Sequence, residues 1–115
     1  MNYDMLFSPM KIGNVEIKNR IVMAPMCMGF GQYNGCATMM NYYEERAKGG
    51  VGLIFTEITR INDITGASSF GQLGMSHDYQ IPALKEMADR IHKHNCKVMV
   101  ELHHPGRQNL GLMIG

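Results

Sequence analysis

The segment Lys11-Ile-Gly-Asn-Val-Glu-Ile-Lys18 alternates apolar and polar residues on either side of Gly13-Asn14. That pair readily takes positive φ and suits a tight turn, so the pattern predicts an opening β-hairpin. Arg20-Ile-Val-Met-Ala-Pro25 follows as a continuous apolar run closed by proline, which reads as a strand buried on both faces and stopped at a loop. Gly29–Gly35 is loop. Behind it, Met39, Tyr42, Tyr43 and Ala47 recur at helical spacing, with Thr38 placed to cap the helix and Gly49-Gly50 to end it. Val51-Gly-Leu-Ile-Phe-Thr56 then reads as a second buried strand.

From Thr59 to His77 the chain is rich in Gly, Ser, Asn and Asp and has no period, so a long excursion is expected at the carboxyl end of the second strand. Asp78 can cap a second helix, with Pro82 in its first turn and Leu84, Met87, Ala88 and Ile91 as its buried stripe, up to a stop at Asn95. Lys97-Val-Met-Val-Glu-Leu102 is a third strand. Strand, helix and strand in this order predict right-handed crossovers and a parallel sheet, an α/β fold in one domain over 1–115. Pro105, Gly106 and Gly111 break the tail, which closes on apolar Leu112-Met113-Ile114. Three parallel strands with two helices would leave sheet edges unpaired and one face bare, so the chain is expected to be a truncated piece of a larger fold.

Composition narrows the class. A net charge of +1, from 11 basic and 10 acidic residues, makes no field that would gather nucleic acid or an anionic membrane. No apolar run approaches the roughly 18 residues of a membrane span, and the first ten residues lack a secretory pattern; a cytoplasmic protein is expected. Cys27, Cys36 and Cys96 are odd in number and share no CxxC spacing, which argues for reduced thiols and against a disulfide framework or zinc site. The twelve Met residues read as flexible fillers of irregular core gaps.

Three segments together carry a resemblance: Leu6-Phe7 through Lys18-Asn-Arg-Ile-Val-Met-Ala-Pro-Met26, then Glu45-Arg-Ala-Lys-Gly-Gly-Val-Gly-Leu-Ile-Phe-Thr-Glu57, then His104-Pro-Gly-Arg107. In this order and spacing the chain resembles the old yellow enzyme family of NAD(P)H:flavin oxidoreductases, in particular the branch of 2,4-dienoyl-CoA and bile-acid enoate reductases. The resemblance implies the N-terminal fragment of a TIM (β/α)8 barrel that binds FMN: an opening hairpin and about three of its eight βα units, with the active site at the carboxyl ends of the strands. It also implies NADH or NADPH as electron donor and an enoate or enone as substrate. In the dienoyl-CoA reductase branch, FAD and a 4Fe–4S cluster lie beyond the barrel.

Carried residue by residue, the resemblance places Ala24, Pro25, Met26 and Cys27 where the first strand runs beneath the flavin. Cys27 matches a position at which one branch has a thiol that tunes the flavin; without that context it would read as an inert small hydrophobe. Met28 falls where some relatives have a Tyr in contact with substrate. Ile58 stands where the family has a small residue beside the flavin carbonyl edge. Glu101 replaces a Gln that bonds the pyrimidine edge. A carboxylate offers only acceptors, so an ionised Glu101 would repel a reduced anionic flavin and lower its potential, while a protonated one would restore the donor.

His103 and His104 are adjacent, hence on opposite faces of a strand, and no third ligand is spaced nearby, so no metal site is expected. Arg107 is expected to brace its loop, and His77, His92 and His94 to be solvated. The residues that polarise substrate, donate the proton and hold the FMN phosphate belong to later strands in this family, so the piece by itself is expected to be inactive. The rival reading is a non-catalytic association module whose exposed sheet edges pair with another copy, a homo-oligomer, or with the rest of the enzyme. A sugar-phosphate barrel would need a Gly-rich phosphate loop leading into a helix, which the chain lacks.

Overall fold

The structure, a computed structural model, describes residues 2–32 and 34–109. The apolar ending Leu112-Met113-Ile114 and Gly111 lie outside the described residues. A short helix α1 (Asp4–Phe7), which the pattern did not predict, leads into the hairpin of β1 (Met10–Ile12) and β2 (Val15–Ile17), antiparallel with Met10 opposite Ile17 and Ile12 opposite Val15. Ile17 is fully buried. Next to it, Lys18 Nζ donates to the carbonyl of His94 at 2.7 Å, which ties the hairpin to the chain just before the last strand.

The parallel sheet is built on β4 (Leu53–Arg60). On one edge it pairs with β3 (Val22–Met23), Val22 opposite Leu53. On the other it pairs with β6 (Lys97–His103), from Leu53 opposite Lys97 to Arg60 opposite His103. A further strand, β5 (Leu73–Gly74), pairs in parallel with Thr59 and Arg60. Because β6 already occupies one edge of β4 at those residues, β5 must take the edge that β3 begins. The excursion after β4 thereby folds back over the loop that follows β3.

Helices α2 (Ala37–Lys48) and α3 (Ile81–His92) form the crossovers between β3, β4 and β6. Met39, Met40, Tyr43 and Ala47 of α2, Met87 and Ile91 of α3, Ile54, Leu73 and Cys96 make the core. Each fully buried aliphatic side chain there contributes about 1.5–3 kcal/mol of transfer free energy.

Several expectations need correction. The first strand is two residues long, not an apolar run buried on both faces, and Val22 stays 43% exposed at the sheet edge. The second strand continues past Thr56 to Arg60, because a bulge between Phe55 and Ile58 absorbs the polar residues and pairing resumes beyond it. The stretch after Thr59 is therefore not all loop, and it contains β5. Thr38 does not cap α2: Cys36 holds the extended N-cap position, and Thr38 is exposed in the first turn. Nor does Asp78 cap the second helix. His77 is the N-cap of a 3-10 turn, Asp78–Gln80, in which His77 and Gln80 cap each other's backbone, and the α-helix begins only at Ile81. Leu84 and Ala88 are half-buried, leaving Met87 and Ile91 as the buried stripe. Among the methionines, Met39, Met40 and Met87 fill core as expected, but Met5, Met26, Met28 and Met75 are exposed.

Candidate functional site at the carboxyl ends of the strands

The parallel strands share a direction, so their carboxyl ends form one rim. Ile58 on β4 lies in register with Glu101 on β6, and both are half-buried. From the end of β3, Ala24, Pro25, Met26, Cys27 and Met28 continue as an exposed segment outside the β3–β4 pairing. Pro25 has no N–H, but the amides around it are free of the ladder and can serve a ligand.

What joins these pieces is Glu57, whose side chain is buried to 1% exposure. Its Oε2 accepts hydrogen bonds from the amides of Met28 and Gly29, each at 2.9 Å, and its Oε1 accepts from the amide of Gly31 at 3.0 Å. A buried carboxylate is costly unless its oxygens are bonded, and here three amides meet that need. At the bulge the backbone of Glu57 also turns to side chains: its N–H donates to the Tyr43 hydroxyl at 2.6 Å, and its carbonyl accepts from Thr59 Oγ1 at 2.9 Å. Burial pushes the Tyr43 phenol above its usual range.

The loop so held is packed tightly against the excursion. A Cβ at Gly31 would stand 2.5 Å from the Leu73 nitrogen and 2.7 Å from Glu57 Oε1. A Cβ at Gly71, whose φ is +70°, would stand 2.5 Å from the carbonyl oxygen of Gly29. Gln32 N donates to the Gly71 carbonyl at 2.7 Å, and Cys36 Sγ to the Phe30 carbonyl at 2.8 Å. Cys27 is exposed, not buried, with its Sγ 3.5 Å from Ser69 Oγ.

Farther along the rim, Arg60 is buried and its Nε donates to Asp63 Oδ1 at 2.7 Å. His77 Nε2 lies 3.0 Å from Asp63 Oδ2, and its ring stacks on Tyr79. Burial raises the Asp63 carboxyl, but the hydrogen bond from Arg60 and the nearby charges of Arg60 and His77 outweigh it and hold the group below its usual range. His77 is solvated as expected, while also engaging Asp63 and Tyr79; His94 departs from that expectation, being half-buried with its Nε2 3.3 Å from Glu44 Oε1. Arg107 is exposed; the contacts that tie its segment down come from Asn109 Nδ2 on the Thr65 carbonyl at 2.7 Å and from His104 Nε2 at 3.0 Å from Thr65 Oγ1.

The structure therefore brings Met28, Ile58 and Glu101 to one rim and leads Ala24–Cys27 up to it. Sequence reasoning missed Glu57, Tyr43 and Gly31 as organisers of that rim. One signal was present: an acid two residues after the apolar run Leu53-Ile-Phe55, separated from it only by Thr56, is out of place in a buried strand unless it is bonded.

Residues 5–111 match the NADH:flavin oxidoreductase / NADH oxidase family. The chain belongs to that family. Among its relatives, the NADPH dehydrogenase of Listeria welshimeri is 42% identical over 106 residues, covering 90% of this chain and 31% of that protein. The structure of Old Yellow Enzyme from Pichia sp. AKU4542 superposes with a TM-score of 0.82 at 29% identity, over 90% of this chain and 27% of that one. A 2-naphthoyl-CoA reductase structure superposes with a TM-score of 0.89 at 30% identity, over 99% of this chain and 18% of that one. This old yellow enzyme relative thus spans about a third or less of the lengths of the proteins it matches. The α/β architecture is part of a TIM barrel, as the sequence led us to expect. No helix among the described residues is long and apolar enough to cross a membrane.

Proposed function

We propose that the full-length protein to which this chain contributes is an FMN-dependent NAD(P)H oxidoreductase of the ene-reductase type, and that Ala24, Pro25, Met26, Cys27, Ile58 and Glu101 form one side of its flavin site. The observation that carries the reading is the shared rim: Ile58 in register with Glu101, and Met28 bonded to the side chain of Glu57, the residue before Ile58. The donor set suits a flat heteroaromatic ring. Amides at the end of β3 would meet ring acceptors, the Glu101 carboxylate would meet a ring N–H, and the exposed side chains of Ala24, Pro25 and Met26 would offer an apolar shelf.

When bound, FMN supplies hydride transfer from NAD(P)H to the β-carbon of an activated alkene. This chain's residues orient and tune. Glu101 would accept from the pyrimidine edge and disfavour added negative charge there. The Cys27 thiol, exposed and 3.5 Å from Ser69 Oγ, would bond a ring edge weakly. Met28, exposed next to Cys27, would contact substrate. Groups that polarise the substrate carbonyl and donate the proton come from later strands, so the 115-residue chain alone neither holds FMN tightly nor turns over.

The test adds FMN, NADH and a cyclic enone to the purified chain and to the full-length protein. Saturable flavin binding and enone reduction are expected in the full-length protein only. A full-length protein that retains no FMN once free flavin is removed overturns the reading, and tight binding by the short chain overturns the claim that later strands are needed.

A further inference from the structure

Glu57 is, among the described residues, the one acidic side chain that is fully buried. An apolar residue of similar size would be less costly to bury there if filling space were the only requirement. The carboxylate instead gathers three amides of one short loop, two on Oε2 and one on Oε1. That loop follows directly on Cys27, and the residue next to Glu57 in β4 is Ile58. The backbone of Glu57 is in turn held by Tyr43 and Thr59 at the point where the β4–β6 pairing skips a step. The carboxylate is thus a rigid strut between the segment leaving β3 and the bulge of β4.

We propose that Glu57 is a positioning residue: it sets the spacing between the Cys27–Met28 segment and Ile58, and so determines where the Cys27 thiol stands against a ring lying across the rim. This inference rests on the flavin reading above. The charge is essential to it because all three partners are donors. Both carboxylate oxygens accept, whereas the amide of a glutamine turns one of them into a donor that faces a backbone N–H. Glu57→Gln keeps the volume and breaks the strut on one side. Its neutral amide cannot satisfy Met28 and Gly29 together with Gly31, so the loop must move.

The experiment uses the full-length protein, flavin-free and FMN-loaded. In the flavin-free protein, Glu57→Gln is expected to speed amide hydrogen exchange at Met28, Gly29 and Gly31 by about tenfold or more, with α3 and β6 unchanged. It is also expected to change the rate at which iodoacetamide alkylates Cys27. In the FMN-loaded protein, Glu57→Gln is expected to shift the flavin midpoint potential when Cys27 is present and to leave it unshifted in a Cys27→Ala background. A residue that merely held the fold would not make its effect on the flavin depend on Cys27.

Unchanged exchange at the three amides overturns the proposal, as does a potential shift that is the same with and without Cys27. Should Glu57→Gln fail to fold, Tyr43→Phe loosens the same bulge while keeping the carboxylate, and an unchanged Cys27 alkylation rate in that variant overturns the proposal. A protein that takes up no flavin overturns the flavin reading and this inference together. Flavin bound normally, with a potential indifferent to Glu57→Gln, overturns this inference alone.

Discussion

Tyr43 and Glu57 meet through a single hydrogen bond, the Glu57 amide donating to the buried Tyr43 hydroxyl at 2.6 Å. It joins the core face of α2 to the one place where β4 leaves its pairing with β6. Tyr43→Phe leaves that amide buried without an acceptor, and we expect a loss of about 1–3 kcal/mol in stability, read as a lower urea midpoint with an unchanged slope.

The same phenol has an alkaline signature. Its folded-state pKa is raised by burial, so the folded protein holds the proton more tightly than the unfolded chain does. The contribution is fully present below the ordinary tyrosine value of about 10 and is lost as pH rises beyond it toward the raised folded value. Tyr43→Phe should flatten the fall in stability above that pH; an equally steep fall in the variant would assign it to other groups.

Asp63 gives the acid counterpart. Its folded-state pKa lies below the usual value, so the clasp with Arg60 and His77 contributes above the ordinary aspartate value of about 3.9 and is lost as pH falls through the lowered folded value. Asp63→Asn should remove that acid limb and leave the excursion 61–77 more open to limited proteolysis at neutral pH.

Gly71→Ala combines a φ of +70° with a Cβ 2.5 Å from the Gly29 carbonyl. We expect a cost on the order of 1–3 kcal/mol, together with faster exchange at Gln32, whose amide bonds the Gly71 carbonyl. Global stability at the wild-type level would show that this contact can relax freely.

Glu101→Gln exchanges an acceptor-only side chain for one that also donates, at a position in register with Ile58. On the flavin reading proposed above, this substitution in the FMN-loaded full-length protein should tighten flavin binding and raise the midpoint potential, because a carboxylate at the pyrimidine edge would be replaced by a neutral amide. Flavin fluorescence quenching and a redox titration read the two effects.

The elements whose signals are local were legible. The hairpin about Gly13-Asn14, the helical spacing of Met39, Tyr43 and Ala47, and the apolar runs of the second and third strands each depend on residues within a few positions of one another. The helix starts were harder to place. At Cys36 the extended backbone enters α2 without a side-chain cap, and at His77 a reciprocal cap with Gln80 displaces the acidic residue beside it. The candidate rim was legible only through the three family segments, since nothing in the spacing of Pro25, Ile58 and Glu101 says that they meet.

By itself, then, the amino-acid order determined the hairpin, the two long helices, the order of the main parallel strands and the family, because turn residues and apolar periods act over short distances and motif order is a property of the chain. Tertiary structure alone decided that β4 bulges at Glu57, that β5 returns to the edge beside β3, and that an acid in a buried strand holds three amides of a loop 26 to 29 residues earlier. The physical reason is that a buried charge is tolerated only where partners converge on it from elsewhere in the chain, and such convergence exists only after the strands have paired.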